Sequence, residues 1–120
     1  MIRLHFVTLV ISLLLPVPLV WAHAYLVKSV PARRATLYRA PAKIQLWFNE
    51  RLERRYSSFS VSEADGKLVE SVKSSVDDGD AKLISATIKA LPPGRYLIKF
   101  RVLSVDGHIV QDQFPFTIKQ

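Results

Sequence analysis

Gly94-Arg95-Tyr96-Leu97-Ile98-Lys99-Phe100-Arg101-Val102-Leu103-Ser104-Val105-Asp106-Gly107-His108 contains the longest alternation in the chain. Tyr96, Ile98, Phe100 and Val102 fall on one side, and Leu97, Lys99, Arg101 and Leu103 fall on the other. That two-residue period belongs to a strand with one face turned to a core, and it predicts a strand over 95–105. Asp106-Gly107 then reads as a turn, because Asp and Gly accept the backbone angles of a tight hairpin.

The same pattern extends in both directions. Downstream, 109–119 places Phe114, Phe116 and Ile118 on a shared face. Upstream, Leu91-Pro92-Pro93-Gly94 turns the chain, and Tyr96 just after this corner is consistent with a tyrosine corner. Residues 82–88 alternate, as do 43–48, where Ile44, Leu46 and Phe48 oppose Trp47. A strand over 56–64 is expected to turn at Asp65-Gly66, the strongest two-residue hairpin signal present, into a return strand over 67–72. Residues 73–80 read as a loop, and 24–29 reads as a first strand stopped by Pro31. Some seven short strands with turn signals between them predict an all-β fold, an immunoglobulin-like β-sandwich. No internal repeat, low-complexity linker or second domain is visible.

Residues 1–22 differ from the rest. A short basic start at Arg3 precedes an almost wholly apolar run from Leu4 to Val20, and Val20 and Ala22 meet the small-residue rule of a secretory cleavage site. The expected organisation is a cleaved signal peptide, 1–22, and a mature domain, 23–120. The alternative is an uncleaved anchor, since about 17 apolar residues approach the lower limit for crossing a bilayer. Pro16, Pro18 and the lack of a basic flank after the run favour cleavage.

The chain carries a formal net charge of +7, which raises the question of nucleic acid. Its cations are scattered except at Arg33-Arg34 and across 51–55, and export removes most nucleic acid from reach, so a solvated basic surface is expected instead. With four glycines there is no phosphate-cradling loop. No serine sits in a nucleophile elbow, so no catalytic residue and no small-molecule substrate are assigned. There is no cysteine, and the single methionine is Met1. The mature chain therefore contains no sulfur.

Cleavage after Ala22 would make His23 the N-terminal residue, offering an α-amine and an imidazole that can chelate one metal ion. Copper(II) suits nitrogen and oxygen donors in a tetragonal arrangement and heads the divalent affinity order. Copper(I) normally selects sulfur, which the mature chain lacks. The plain alternative is that His23 is an ordinary solvated terminus. The other mature histidine is His108. Asp106 lies two residues before it, so both can face one side, and Gly107 permits the tight backbone between them. Alternatively, Asp106-Gly107 only makes a turn. Glu50, which follows the 43–48 strand, could supply an oxygen to the ion or accept a hydrogen bond from a ligating imidazole. Equally, it could be a surface carboxylate facing Arg51 or Arg54.

Taken together these residues resemble the CopC-type copper-resistance proteins of bacteria. The resemblance lies in His23-Ala24-Tyr25-Leu26, Ser29-Val30-Pro31-Ala32, Pro41-Ala42-Lys43-Ile44, Leu46-Trp47-Phe48-Asn49-Glu50, Leu91-Pro92-Pro93-Gly94-Arg95-Tyr96 and Arg101-Val102-Leu103-Ser104-Val105-Asp106-Gly107-His108. It implies a periplasmic β-sandwich that binds copper(II) through the amine and ring of His23 with Asp106 and His108, and with Glu50 as an outer ligand. It further implies a copper carrier or buffer rather than an enzyme, acting beside a CopD-type inner-membrane copper protein. Nothing in the residues forces a dimer, so a monomer is expected.

Three features depart from the family pattern. There is no methionine-rich loop, which implies a single-site form. Ile109 and Asp112 stand where Pro and Gly are usual, and Arg33-Arg34 replaces small or acidic residues. Two rival functions remain at this level: a copper-dependent oxidative enzyme of histidine-brace type, and a metal-free immunoglobulin-like interaction module using 51–55.

Overall fold

A computed structural model of the chain describes residues 2–3, 14–16 and 24–120. The expected signal peptide falls mostly, and His23 wholly, outside the described residues. Among the described residues no helix is long and apolar enough to cross a membrane.

Among the described residues eight strands form: β1 (Leu26–Val30), β2 (Thr36–Leu37), β3 (Lys43–Phe48), β4 (Ser58–Glu63), β5 (Ser75–Val76), β6 (Leu83–Thr87), β7 (Gly94–Leu103) and β8 (Ile109–Ile118), with one 3-10 turn at Arg54–Tyr56. They make two four-stranded sheets, ordered β1-β3-β6-β5 and β2-β8-β7-β4. All pairings are antiparallel except β2 with β8. This is the expected all-β sandwich.

The alternations read from the sequence become the two walls of one core. Ile44, Leu46 and Phe48 of β3 with Ile84 and Ala86 of β6 face Phe59 and Val61 of β4, Tyr96, Ile98, Phe100 and Val102 of β7, and Phe114, Phe116 and Ile118 of β8. Burying one large aliphatic or aromatic side chain contributes about 1.5–3 kcal/mol, so a one-residue slip of β7, which would expose all four of its inward side chains, is strongly disfavoured. Phe48 meets Phe100 edge to face at 5.3 Å across the sheets. Trp47 lies on the outer face under the Lys28 ammonium, 4.8 Å from the ring centroid.

The structure corrects five local expectations. β1 begins at Leu26 and not at 24, and its register breaks between Leu26 and Lys28. Two-residue β2 is too short to show a period, and the sequence reading missed it. The return strand over 67–72 does not form. After a bridge between Ser62 and Leu68 and a bond from Val69 N to Val61 O at 2.8 Å, the chain leaves β4. It crosses to the other sheet, where β5 pairs with β6 inside the stretch read as a loop. Leu68 and Val69 break the alternation, so no face is defined for a strand to keep. Finally, the connection at Asp65-Gly66 spans three residues and not two: Gly66 N bonds Glu63 O at 2.9 Å and Glu63 N bonds Lys67 O at 2.8 Å, with Gly66 at φ +93, a type I turn closed by a left-handed glycine.

The tyrosine corner is present. Tyr96 donates its hydroxyl proton to Pro92 O at 2.6 Å and stacks on Phe116 at 5.4 Å. Burial, with a smaller contribution from Glu63, pushes the Tyr96 phenol above its ordinary value. The folded chain thus holds this proton more tightly than the unfolded chain. Its support for the fold is complete below the ordinary tyrosine pKa near 10 and is lost as pH rises through the raised folded value. Tyr96→Phe is expected to lower stability by about 1 kcal/mol at neutral pH, about 4–8 °C in Tm for a domain of this size. Thermal unfolding of both proteins from pH 7 to 11 should also show a shallower alkaline decline in the variant.

Candidate metal centre

The segment from Asn49 to Glu53 ties three parts of the chain together. Tyr25 N donates to Asn49 Oδ1 at 2.6 Å, and Asn49 N returns a bond to Tyr25 O at 3.2 Å, fixing the start of the first sheet's edge strand. Leu52 N bonds Ala81 O at 2.8 Å. On the opposite sheet, Glu53 N bonds Leu103 O at 2.8 Å, Val105 N bonds Arg51 O at 2.9 Å, and Leu52 bridges Ser104. The N-terminal strand and the β7–β8 turn are therefore held at the same end of the sandwich although some 80 residues separate them in sequence.

The turn is built on Ser104. Gly107 N bonds Ser104 O at 2.9 Å and Ser104 N bonds His108 O at 2.9 Å, with Gly107 at φ +93. This is again a three-residue connection, with Ser and Gly at the first and fourth positions that type I turns favour. The Ser104 side chain is fully buried. Its hydroxyl donates to Asp106 Oδ1 and accepts from His108 N at 3.2 Å. Held this way, the Asp106 carboxylate lies 3.2 Å from His108 Nδ1. The Ser104 hydroxyl is the chief cause that holds the Asp106 carboxyl below its ordinary value; burial opposes it, and individually smaller contributions from His108 lower it further.

The structure thus brings together Asp106 and His108, two of the four residues singled out from sequence. Their separation lets the oxygen and nitrogen act as neighbouring donors to one ion, and the pair suits borderline divalent metals that accept both. Among the described residues no three of His, Cys, Asp and Glu gather within reach of one ion. Glu50 is partly buried at the bend after β3 and does not complete such a group. It also has no ion pair among the described residues; Arg54, one of its two expected partners, is engaged by Asp78 at 3.0 Å and Val76 O at 2.5 Å. His23 lies outside the described residues, but the chain two positions later is fixed by the Tyr25–Asn49 pair. Ser104 went unassigned as a functional residue in the sequence. The Ser-x-x-Gly turn signature around Asp106 was the available signal.

Two four-stranded sheets with an acid–imidazole pair on an end turn place the chain among small all-β sandwich domains. The chain belongs to the CopC domain family, whose description matches residues 26–119. It is 33% identical to copper resistance protein C of Pseudomonas syringae pv. tomato over 123 residues, covering 98% of this chain and 97% of that protein. It is 31% identical to Protein YobA of Escherichia coli (strain K12), covering 97% and 94%. The crystal structure of CopC from Methylosinus trichosporium OB3b superposes with a TM-score of 0.74 at 33% identity, over 81% of this chain and 94% of that one. Two positions that depart from the family pattern prove to be partners: Arg33 Nη2 lies 3.1 Å from Asp112 Oδ2, and the Arg33 guanidinium covers the Phe114 ring at 5.0 Å.

Ser104→Ala removes the first cause of the low Asp106 pKa. The carboxyl resonance of Asp106, followed by NMR through an acid titration of the metal-free protein, is expected to titrate at higher pH in the variant. An unchanged midpoint would mean that the Ser104 hydroxyl does not hold the carboxylate.

Proposed function

We propose that this protein is an exported copper(II) carrier or buffer of copper homeostasis or resistance, with one site built on the mature N-terminus. Signal cleavage after Ala22 leaves His23 as the first residue, whose amine and imidazole join Asp106 and His108 around the ion. Glu50 serves as an outer oxygen ligand or as the acceptor that orients a ligating imidazole. The protein works in the periplasm as a monomer, beside an inner-membrane copper protein of the CopD type.

The reading rests on one observation above the others. The Asp106–His108 pair, 3.2 Å apart, stands on the turn that Arg51 and Leu52 tie to the segment anchoring Tyr25. The copper resistance name of a relative aligned over nearly the whole chain supports copper as the cargo. The lack of cysteine and of any methionine beyond Met1 favours the copper(II) state. The Asp106 carboxylate, ionised at neutral pH, adds an anionic oxygen donor that stabilises the higher charge. It also occupies a position that oxygen activation would need free, which favours carriage over catalysis.

The test is copper(II) titration of the exported, processed protein with electron paramagnetic resonance, beside a variant carrying one extra residue before His23. One-to-one binding with a nitrogen-rich tetragonal spectrum is expected, weakened in the extended protein. His108→Ala should weaken binding by roughly a hundredfold or more, since even residues behind the ligands are worth ten- to a hundredfold. Equal binding by the extended protein would discard the terminal chelate. Sustained copper-dependent turnover of a chromogenic substrate with peroxide and reductant would replace the carrier reading with an oxidative enzyme.

A further inference from the structure

Three of the cations that look scattered in sequence stand together on the outer face of the β2-β8-β7-β4 sheet. Arg95, Lys99 and Arg101 alternate outward on β7, opposite the side chains that enter the core. Their cross-strand neighbours are neutral: Ser58 and Gln111 flank Arg101, and Ser60 and Gln113 flank Lys99. These residues line an open groove of about 470 Å³, within the size range of small-ligand sites. Asp112, which also borders it, lies opposite the inward-facing Phe100 in the β7–β8 register and is engaged by Arg33 at 3.1 Å. Neither Lys99 nor Arg101 has an ion-pair partner among the described residues.

We propose that this groove is a binding site for a soluble phosphate-type oxyanion, separate from the metal centre. Lys99 and Arg101 are two residues apart on one face, about 7 Å between Cα atoms, so their long side chains can converge on one tetrahedral anion. The guanidinium offers paired donors and the ammonium a point charge. Ser58, Ser60, Gln111 and Gln113 add neutral, directional donors on both sides, which an oxyanion uses and a diffuse attraction to a charged bilayer does not. The groove also exposes no large apolar side chain that could enter lipid: its only aromatic residues, Phe59 and Phe100, are buried in the core.

The experiment uses the full mature chain without copper, titrated with inorganic phosphate at low ionic strength. Backbone amide shifts are followed by NMR, with sulfate and chloride for comparison. Saturable shifts at Lys99, Arg101 and Gln111, stronger for phosphate than for chloride, are expected. Lys99→Gln and Arg101→Gln should each weaken the interaction about tenfold, whereas Arg95→Gln, on the same strand but outside the groove, should leave it unchanged. Unfolding curves confirm that the variants fold. Absence of saturable shifts, or equal weakening by Arg95→Gln, would overturn the site in favour of net charge alone. Binding to phosphatidylglycerol vesicles that Lys99→Gln weakens and free phosphate does not displace would overturn the soluble ligand in favour of a membrane surface. Because no metal ligand is altered, failure here leaves the copper proposal standing, and failure of copper binding leaves this one standing.

Discussion

The paired bonds between Tyr25 and Asn49 begin a chain of contacts on which the functional end of the molecule depends. From Asn49 the backbone runs through Arg51, Leu52 and Glu53, and each of these three bonds to a different neighbour: Val105, Ala81 and Leu103. The segment makes only an isolated bridge, Leu52 with Ser104, yet it joins the edge of one sheet to the long central strand of the other. Without it, the apolar core would still draw the sheets together, because burial is non-directional. The relative position of the N-terminal strand and the β7–β8 turn would then be unspecified at the ångström level that a ligand set requires.

The two Asp-Gly connections show how little separates a turn from a site. Both close three residues with a glycine at φ +93 and the same two backbone bonds. At the first, Asp65 accepts from its own turn, Lys67 N to Oδ1 at 2.9 Å, and the residue opening the turn is Glu63. At the second, the opening residue is the buried Ser104, whose hydroxyl takes hold of Asp106, and a histidine follows the glycine. One buried hydroxyl and one imidazole convert a local solution to backbone geometry into an oriented, ionised donor pair. The conversion requires burial, since Ser104 is fixed by β7 and Leu52 packing around it, whereas the first turn lies open to solvent.

The departures from the family pattern have a structural logic of their own. Arg33 and Asp112, which look unrelated in sequence, meet across the molecule, and Arg33 also shelters the Phe114 ring. An exposed pair of this kind contributes little to stability, about 0–1 kcal/mol. Its effect is chiefly on charge: Arg33 engages Asp112, which shares the inward side of β8 with Phe114, while Lys99 and Arg101 stand on the opposite face beside neutral Gln111 and Gln113.

Much of the fold was legible in the sequence because alternation is a local property. The inward sides of β3, β7 and β8, the outward Trp47 and the tyrosine corner at Tyr96 all follow from a two-residue period and the residues that interrupt it. The readings that failed lie where the period is absent or too short: two-residue β2 and β5, and 67–72, where Leu68 and Val69 spoil the alternation and the chain changes sheets. Asp106 and His108 could be paired from spacing alone, because residues two apart on either side of a glycine are near each other in almost any turn. The sequence by itself thus determined which side chains face the core and which residue types are available as donors. Only the tertiary structure decided that Ser104 holds Asp106, that Asn49 to Glu53 brings the first strand to the last turn, that Arg54 pairs with Asp78 rather than Glu50, and that Lys99 and Arg101 share a groove with Ser58 and Gln111. The first depends on the burial of Ser104, and the others join segments tens of residues apart; no local pattern encodes a contact that exists only once the sheets have closed.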